Sequence, residues 1–543
     1  MNKYIFVSGG VCSSLGKGVA ASSLGALLEG RGLNIRMVKC DPYINVNAGT
    51  MSPFEHGEVY VTDDGTETDL DLGNYARFTK GNLTRANSMT TGQVYMSVIE
   101  NERAGHYLGR CIQVIPHITD EIKRRIQAVA SEDTENDIVI VEIGGTVGDI
   151  ESIPFLEAAR QIIHEQGRIN ALSVHLTLIP EVAGGELKTK PTQHSVKAMQ
   201  EMGIQPDVLV CRAPMMLDED TRLKIARLTN VDPDAVFTSR DINTTIYEIP
   251  LMFFEQKLDQ VVLKKLGVTS RHADLKPWYS MMERYAARSG KVSIGIVGKF
   301  MDLHDAYKSV YEALFHAGVE CKVEVELVKI DSSGLEEADA ASILSQSING
   351  ILIPGGFGDR GIDGMVRAAA WARTNKVPFF GIGFGMQIMA IEWCRNILGW
   401  TDADSVEFNS KTKHPVITML PEGKIKLGLG ELTAEPGTHI FTAYSTQFKD
   451  SSLHGAGMRI LERHRHRYEV SGRYSADIAE SGLKISAVSQ DGSHVECIEW
   501  PCAGPQSHPW GLGTQFFPEF KSKPTAAAPL FREFIKAAKL NRK

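Results

Sequence analysis

The stretch KYIFVSGGVCSSLGKGVAAS (Lys3–Ser22) decides the fold class of the N-terminal half. The apolar run Tyr4–Ser8 predicts a buried strand, and a glycine-rich turn follows it and opens a helix. Backbone N–H groups in such a turn form an anion nest, and the helix N-terminus adds positive potential. Lys17 adds a point charge suited to phosphates. The segment Ser8–Gly18 therefore predicts a phosphate-binding loop; a plain glycine-rich turn is the alternative.

The loop differs from a standard P-loop at two positions. Val11 stands where the first glycine belongs, and Gly18 replaces the hydroxyl residue that normally holds Mg²⁺. The metal then needs other hard oxygen ligands. Glu142 ends the apolar run DIVIVE, so it should face the crevice where open α/β sheets bind ligands. Asp71, in ETDLDLG, is the second candidate, although alone it would more often be a solvated acid.

The first half alternates short apolar runs with helical patterns, which predicts a doubly wound parallel α/β domain. The expected strands are Tyr4–Ser8, Ile35–Lys39, Asp137–Ile143, Ala171–Leu178, Val208–Cys211 and Ala235–Thr238, with helices over Ile118–Ala130 and Pro154–Glu165. A second α/β series begins at VSIGIVG (Val292–Gly298) and continues with Gly350–Gly356 and Val377–Gly385. We expect domains at 1–266 and 291–543, joined by a polar linker at 267–290.

Composition narrows the class of protein. The 543 residues are 43% hydrophobic and 23% charged, as in soluble globular proteins, and the net charge of −8 favours neither nucleic acid nor membrane as a partner. The eight cysteines are scattered without a C-x-x-C pair, so reduced thiols are expected. The N-terminus lacks the regions of a signal peptide, and no apolar run reaches transmembrane length. These features predict a cytoplasmic protein.

Long strings in the first domain closely resemble the synthetase half of the CTP synthase family. In order and at the family's spacing they are SGGVCSSLGKG (8–18), KCDPYINVNAGTMSPFEHGEVYV (39–61), ETDLDLGNYARF (67–78), QVIPHIT (113–119), VEIGGTVGDIES (141–152) and KTKPTQHS (188–195). Strings of this length rarely recur by chance. The resemblance implies that ATP phosphorylates O4 of UTP and that ammonia displaces the phosphate to give CTP. It also implies Mg²⁺ as cofactor, CTP as feedback inhibitor and a homotetramer assembled through the first domain.

The resemblance also implies site residues in the first domain, with Lys17 and Lys39 as the catalytic lysines and His56 as the gate of an ammonia tunnel. The implied ATP site comprises Ser13, Ser14, Leu15, Gly16, Lys17, Gly18, Asp71, Asp241 and Ile242. The implied UTP or CTP site comprises Ser13, Asp149, Ile150, Glu151, Lys188, Thr189, Lys190, Gln193 and Lys224. The implied metal ligands are Asp71 and Glu142.

The second domain resembles the class I glutamine amidotransferases, but its catalytic pattern is broken. PGGFGDRG (354–361) matches the oxyanion loop, and GIGFGMQ (381–387) matches the nucleophile turn. Gly383 occupies the position of the catalytic cysteine, and Phe517, in TQFFPEF, occupies that of the histidine. Glycine cannot form a thioester and phenylalanine cannot accept a proton, so only Glu519 survives from the triad. We expect a catalytically inactive glutaminase.

The resemblance also extends to part of the family's glutamine pocket. The matching positions are Gly355, Gly356, Gln387, Glu407 and Arg467. The family's G-G-T-M-R-L-G segment is missing, and KIKLGLGE (424–431) occupies that region. The string ERHRHRYEV (462–470) contains two histidines that could suggest a metal site; we interpret it as a surface basic segment. GTP promotes glutamine hydrolysis in the family, so it is not expected to activate here.

The leading hypothesis is an ammonia-dependent CTP synthase whose amidotransferase domain is structural or regulatory. One alternative is a nucleotide-binding regulatory or filament-forming protein without net synthesis, which the retained lysines and carboxylates disfavour. Another is a partition-type P-loop ATPase, which shares similar glycine-rich loops. KTKPTQHS and ETDLDLG discriminate against that ATPase.

Overall fold

The computed structural model describes residues 2–130, 138–337, 343–344, 348–446 and 457–542. The chain divides into two compact units. The first comprises Met1–Met51 and Asp71–Met282, and the second comprises Ser52–Leu70 and Glu283–Lys543. None of the helices described is long and apolar enough to cross a membrane.

A parallel sheet of seven strands forms the centre of the first unit. In spatial order the strands are Val236–Arg240, Val208–Ala213, Ala171–Leu178, Lys3–Gly9, Ile138–Ile143, Ile35–Asp41 and Ser88–Thr90. The helices of this unit are Lys17–Gly30, Asp71–Phe78, Thr91–Arg103, Thr119–Ala128, Ile153–Gln166, Lys190–Glu201, Glu219–Thr229, Ile249–Glu255, Leu258–Lys265 and, across the boundary, Lys276–Ala286. Tyr4 and Phe6 pack with one set of helices, while the alternate residues Ile5 and Val7 are equally buried. Both faces of the sheet are therefore covered, as parallel sheets require.

These strands confirm the predicted doubly wound fold. Every predicted strand is present within two residues at each end; Asp137, the first residue of one prediction, lies outside the described residues. The edge strand Ser88–Thr90 was not predicted, because three residues give too short a pattern.

A mixed sheet of nine strands forms the centre of the second unit. Its strands, in spatial order, are Glu324–Asp331, Lys291–Gly298, Gly350–Ile353, Phe379–Ile382, Gly511–Thr514, Val495–Glu499, Lys484–Ser489, Lys426–Ala434 and Met458–His466. The first five are parallel and the later pairings are antiparallel. The helices of this unit are Pro53–His56, Lys308–Glu320, Gly334–Glu337, Ile362–Thr374, Phe384–Asn396, His439–Ser445, Ser475–Glu480 and Pro529–Leu540. A smaller sheet comprises Ala403–Ser405, His414–Met419 and Tyr468–Val470.

The segment 52–70 belongs to the second unit, although we predicted it within the first domain. Its hairpin strands are Tyr60–Val61 and Glu67–Thr68. Buried Arg463 donates to Asp63 Oδ1 at 2.6 Å and to the Val61 carbonyl at 3.1 Å. Partners so distant in sequence cannot be inferred from local patterns. The predicted linker 267–290 is likewise not a plain coil, because it contains the helix Lys276–Ala286.

Candidate functional site

The glycine-rich loop follows the central strand Lys3–Gly9, as predicted, and the helix Lys17–Gly30 begins at its lysine. Val11 has φ 77°, a conformation that β-branched residues rarely adopt, so the loop holds local strain of the kind found at functional sites. Lys17 Nζ donates to the Gly145 carbonyl at 2.7 Å. Burial lowers the pKa of Lys17. The loop thus brings a partly desolvated ammonium group to the end of the neighbouring strand.

A buried charge cluster lies beside this helix N-terminus. Lys39 Nζ donates to Asp71 and, at 3.2 Å, to Glu142 Oε1. Burial alone would lower the pKa of Lys39, but these two carboxylates raise it well above its ordinary value. Burial raises the pKa of Glu142, whereas for Asp71 the attraction of Lys39 outweighs burial and lowers the pKa. The cluster brings together one predicted catalytic lysine and both predicted metal ligands.

The position of Gly18 explains the departure from a standard P-loop. A Cβ atom there would lie 3.2 Å from Asp71 Oδ1 and 3.3 Å from Glu142 Oε2. The two carboxylates therefore converge on the place where a P-loop hydroxyl would begin. Hard carboxylate oxygens suit Mg²⁺, which usually takes one or two carboxylates plus substrate phosphates. The residues present fit the predicted metal.

Two residues of this region were missed by sequence reasoning. Tyr75 is fully buried and its hydroxyl donates to Glu142. It lies one helical turn after Asp71, which was a usable signal. Arg212, at the end of another core strand, donates to the Ser14 carbonyl at 3.1 Å and to Asp241 Oδ1 at 2.9 Å. Arg212 therefore joins the loop to Asp241 of the predicted adenine site, where Ile242 is half-buried.

The residues predicted to bind UTP or CTP fall in two groups. Asp149, Ile150 and Glu151 follow the strand that ends at Ile143, and Asp149 is close enough to Lys17 to act on its pKa. Lys188, Thr189, Lys190 and Gln193 lie at the start of the helix Lys190–Glu201. Lys188 and, to a smaller extent, Lys224 lower the pKa of Glu186, so both lysines lie near this carboxylate. In the residues that the structure describes, no hydrogen bond or ion pair joins the two groups.

The predicted nucleophile turn lies at the end of the strand Phe379–Ile382 in the second unit. Gly383 has φ 53° and ψ −102°, outside the regions that residues with side chains favour, and the helix Phe384–Asn396 begins next to it. Its N–H donates to the Thr514 carbonyl at 2.6 Å. The turn therefore has the sharp strand-to-helix geometry of a nucleophile elbow.

The ring of Phe517 fills the space in front of this turn. A Cβ atom on Gly383 would lie 2.7 Å from Phe517 Cζ, and one on Gly355 would lie 2.6 Å from Phe517 Cε1. Real Cβ atoms do not approach so closely, so the ring lies against both glycines. Phe517 also stacks on Phe520, with ring centroids 5.7 Å apart. An aromatic group thus occupies the volume that a side chain at position 383 would need.

Glu519 is buried and has lost any partner of the predicted kind. Its Oε2 atom is without a hydrogen-bond partner in the described structure. Burial raises the pKa of this carboxyl well above its ordinary value, and Glu58 and Glu462 act in the same direction. Burial thus favours the neutral form of this carboxyl, whereas a carboxylate that orients a cationic histidine is charged.

A cavity of about 360 Å³ opens beside the Phe517 ring, in the second unit. It is lined by Glu67, Gly356, Phe357, Phe384, Gln387, Glu407, Ile425, Arg465, His466, Arg467, Tyr468 and Phe517. Four of the predicted pocket residues are among them, while Gly355 lies beneath the ring. Gln387 Nε2 donates to the Tyr468 carbonyl at 2.9 Å, and Glu407 Oε1 accepts from the Gly358 N–H at 2.8 Å. A cavity with an aromatic end therefore lies at four of the five predicted pocket positions.

Our interpretation of ERHRHRYEV as a surface segment is wrong. Most of it forms the strand Met458–His466, where Glu462, Arg463, His464 and His466 are buried. His464 Nε2 lies 2.8 Å from Glu496 Oε2, which also pairs through its other oxygen with Lys426, from the KIKLGLGE segment. These polar side chains can be buried because residues far away in sequence pair with them, such as Asp63 with Arg463 and Glu496 with His464. The part of the chain that the structure describes contains no group of three or more residues suited to hold a metal ion.

Lys299 was also missed, although it directly follows the strand Lys291–Gly298. Its Nζ donates to the carbonyls of Phe357, at 2.9 Å, and Gly358 in the predicted oxyanion loop. It also lies 4.5 Å from the centroid of the Phe384 ring. Burial lowers the pKa of Lys299 to about 8. Lys299 therefore fixes the oxyanion loop against the nucleophile turn.

His56, the predicted tunnel gate, lies in the second unit and lines a cavity of about 330 Å³. Asp69, Leu303 and Asp305 line the same cavity. His56 Nδ1 is 3.9 Å from Asp69 Oδ2.

Comparison with known proteins agrees with both halves of this description. Residues 3–268 match the family model "CTP synthase N-terminus", and residues 302–537 match "Glutamine amidotransferase class-I". A CTP synthase of Carboxydothermus hydrogenoformans is 51% identical over 547 residues, covering 99% of each chain. The chain belongs to the CTP synthase family.

Other relatives are similar over their whole length. A CTP synthase of Clostridium acetobutylicum is 49% identical, covering 99% of this chain and 98% of that protein. Among solved structures, the glutaminase domain of Trypanosoma brucei CTPS with bound acivicin is 35% identical. It covers 46% of this chain and 94% of its own, with a TM-score of 0.41.

Proposed function

We propose that this member of the CTP synthase family makes CTP from UTP, ATP and free ammonia and does not hydrolyse glutamine. The observation that carries the proposal is the contrast between two sites of one chain. In the first unit, Lys39 pairs with both Asp71 and Glu142. At the amidotransferase site, the Phe517 ring lies where a nucleophile's side chain would stand.

In the synthetase site, the chain's own residues supply charge and position. Lys17, at the helix N-terminus, would hold the ATP phosphates together with the loop N–H groups. Asp71 and Glu142 would hold Mg²⁺, which neutralises negative charge on the transferred phosphoryl group when it is bound. Lys39 is fixed by these carboxylates, and Tyr75 orients Glu142. Phosphoryl transfer needs little more than such positioning and charge stabilisation.

In the amidotransferase domain, two requirements for glutamine hydrolysis are unmet. Position 383 offers no nucleophile and position 517 offers no base. Burial also raises the pKa of the remaining Glu519 carboxyl and so favours its neutral form. Cys394 cannot substitute, because it is fully buried in the helix that follows the turn, and burial raises its pKa to about 12. Ammonia must then come from solution; His56 would gate its entry as in the family.

The proposal includes CTP as feedback inhibitor at the UTP residues and a homotetramer formed through the first unit. Large apolar side chains of that unit are strongly exposed, including Leu108, Val114, Ile115 and Ile150. Exposed apolar side chains at 108–115 and at 150 favour an assembly contact. Light scattering of Leu108→Asp should then show loss of the tetramer; a parental tetramer that survives would place the contact elsewhere.

The test is CTP formation from UTP and ATP with Mg²⁺, with ammonium chloride or L-glutamine as the only nitrogen source. We expect synthesis with ammonium and a glutamine rate equal to that of a nitrogen-free control. A glutamine rate clearly above that control would refute the inactive glutaminase. No synthesis with either source would favour a nucleotide-binding regulatory protein instead.

A further inference from the structure

A buried histidine of the first unit lies between two buried serine hydroxyl groups that belong to different segments of the predicted nucleotide site. His175 is on the strand Ala171–Leu178, and its Nδ1 atom lies 2.9 Å from Ser8 Oγ. Its Nε2 atom lies 2.8 Å from Ser195 Oγ. Ser8 begins the predicted phosphate-binding loop, and Ser195 is on the helix Lys190–Glu201, which has predicted UTP residues at its start. The imidazole therefore joins the loop to this helix.

The register of the sheet and one glycine make this arrangement possible. In the parallel sheet, Ser8 is the direct partner of His175 on the neighbouring strand, so the two side chains share one face. The helix can approach that face closely because residue 10 is glycine. A Cβ atom on Gly10 would lie 1.8 Å from Ser195 Oγ. Any larger residue at this position would push the helix away from the loop.

The ring of His175 is neutral, and both of its nitrogen atoms have partners. Burial lowers its pKa to about 3, and the nearby charge of Lys17 acts in the same direction. A neutral imidazole donates from one nitrogen and accepts at the other, and a serine hydroxyl can do either, so both contacts can form in each tautomer. A fully satisfied buried network of this kind fixes one arrangement of the elements that it joins. An apolar side chain would fill the same space without holding the helix.

We propose that His175 is a positioning residue for UTP, which acts by holding the helix Lys190–Glu201 against the phosphate-binding loop through its hydrogen bond to Ser195. It acts on UTP only through this helix. The inference rests on the proposed function for the identity of the two nucleotides. Thr192 Oγ1, 3.0 Å from Thr177 Oγ1, ties the same helix to the same strand. Loss of the His175 contact should therefore shift the helix without releasing it.

Two substitutions of His175 separate its two hydrogen bonds. The amide of asparagine can replace Nδ1 and keep the contact with Ser8, whereas the amide of the longer glutamine can replace Nε2 and keep the contact with Ser195. Binding is measured by calorimetric titration of the full chain with UTP and Mg²⁺. His175→Asn should weaken UTP binding by roughly 5- to 10-fold, the value of one hydrogen bond, and His175→Gln should stay within about twofold of the parent.

Two smaller substitutions keep the test decisive if the ring variants fold poorly. Ser195→Ala removes the same contact from the helix side and should weaken UTP binding by a factor similar to that of His175→Asn. Ser173→Ala is the matched control, because Ser173 is buried on the same face of the same strand and its hydroxyl has no partner among the described residues. It should bind UTP as the parent does. ATP affinity should stay within about twofold of the parent in both Ser195→Ala and His175→Asn.

The outcomes that would contradict this role are distinct. Equal UTP affinity in His175→Asn and His175→Gln, or parental affinity in Ser195→Ala, would overturn the proposal. An equal loss of ATP affinity would also overturn it, because general damage to the fold would then explain the effect. The same holds if the parent binds no UTP. Since binding needs no turnover, a parent that binds UTP but makes no CTP with ammonium would count against the proposed function and not against this ranking.

Discussion

The phosphate loop and the nucleophile turn occupy equivalent places in two different sheets. Each follows the carboxyl end of a central parallel strand and opens a helix, at Lys17 in the first unit and next to Gly383 in the second. At the first, buried charges neutralise one another around Gly18. At the second, an aromatic ring packs against two glycines. The fold supplies the position in both cases, and the side chains alone decide whether chemistry follows.

We expect the largest loss of CTP formation from substitutions at the charged site around Gly18 in the first unit. Lys17→Ala and Glu142→Gln should each lower ammonia-dependent CTP formation by at least about a hundredfold, because each removes charge stabilisation of the transferred phosphoryl group. Glutamine at 142 keeps the side chain's size and its contact with Tyr75 while removing the charge. The surface variant Lys265→Ala, which loses only a pair with Asp232, should retain parental activity. Near-parental rates for either site variant at saturating ATP and Mg²⁺ would contradict this placement of the active site.

The second prediction concerns variants that restore a nucleophile and a base to the amidotransferase site. Gly383→Cys alone should yield almost no glutamate release, since its thiol has no base, and it should be destabilised by about 1–3 kcal/mol through overpacking against the ring. Phe517→His alone should yield none. The double variant removes the clash and supplies nucleophile, base and Glu519 together, so activity and melting temperature should both recover non-additively.

We still expect the double variant to fall well short of an ordinary family member, because Phe520 stacks on the phenyl ring that histidine would replace and the Lys424–Glu431 region no longer matches the family. Glutamate release and thermal unfolding measured on all four proteins form a complete cycle. If either single variant equals the double in glutamate release, positions 383 and 517 are not the lost pair.

The sequence could predict those site residues that local motifs mark, and it could not predict contacts between residues far apart in the chain. Lys17, Asp71 and Glu142 were found because strand ends and acidic motifs mark them locally. Phe517 and Gly383 were identified as substitutions, but their packing is a tertiary contact between positions 134 apart in the chain, which no local pattern reveals. The segment 462–470, most of which lies in the strand Met458–His466, was misassigned to the surface, because its polar partners Asp63 of Arg463 and Glu496 of His464 lie far away in sequence.

A smaller effect concerns the pH dependence of stability. Because the folded pKa of Glu519 is raised, its contribution is present below the unfolded pKa of about 4.3 and is lost as pH rises towards the folded value. Glu519→Gln cannot titrate, so its thermal midpoint should fall less than the parental one between pH 4 and pH 8. Glu480→Gln, at an exposed position, should follow the parent. Parallel curves for Glu519→Gln and the parent would show that this carboxyl is charged in the folded protein.

The smallest expected effect is that of GTP. With no thioester to form, GTP has no glutamine-dependent transition state to favour, and a ligand without such a differential effect cannot activate. Titration of GTP into the ammonia-dependent reaction should leave the rate within about twofold of its starting value. Several-fold stimulation would show that GTP acts on the synthetase site of this protein.

One measurement tests the difference between the two sites most directly. Equal concentrations of unlabelled ammonium and amide-¹⁵N-labelled L-glutamine are supplied in one reaction with UTP, ATP and Mg²⁺. The isotopic composition of the CTP is then measured by mass spectrometry. A parallel incubation without protein corrects for spontaneous release of labelled ammonia. We expect CTP that carries only unlabelled nitrogen at position 4, beyond that correction. Labelled CTP above the correction would contradict it, because this chain would then be drawing ammonia from glutamine.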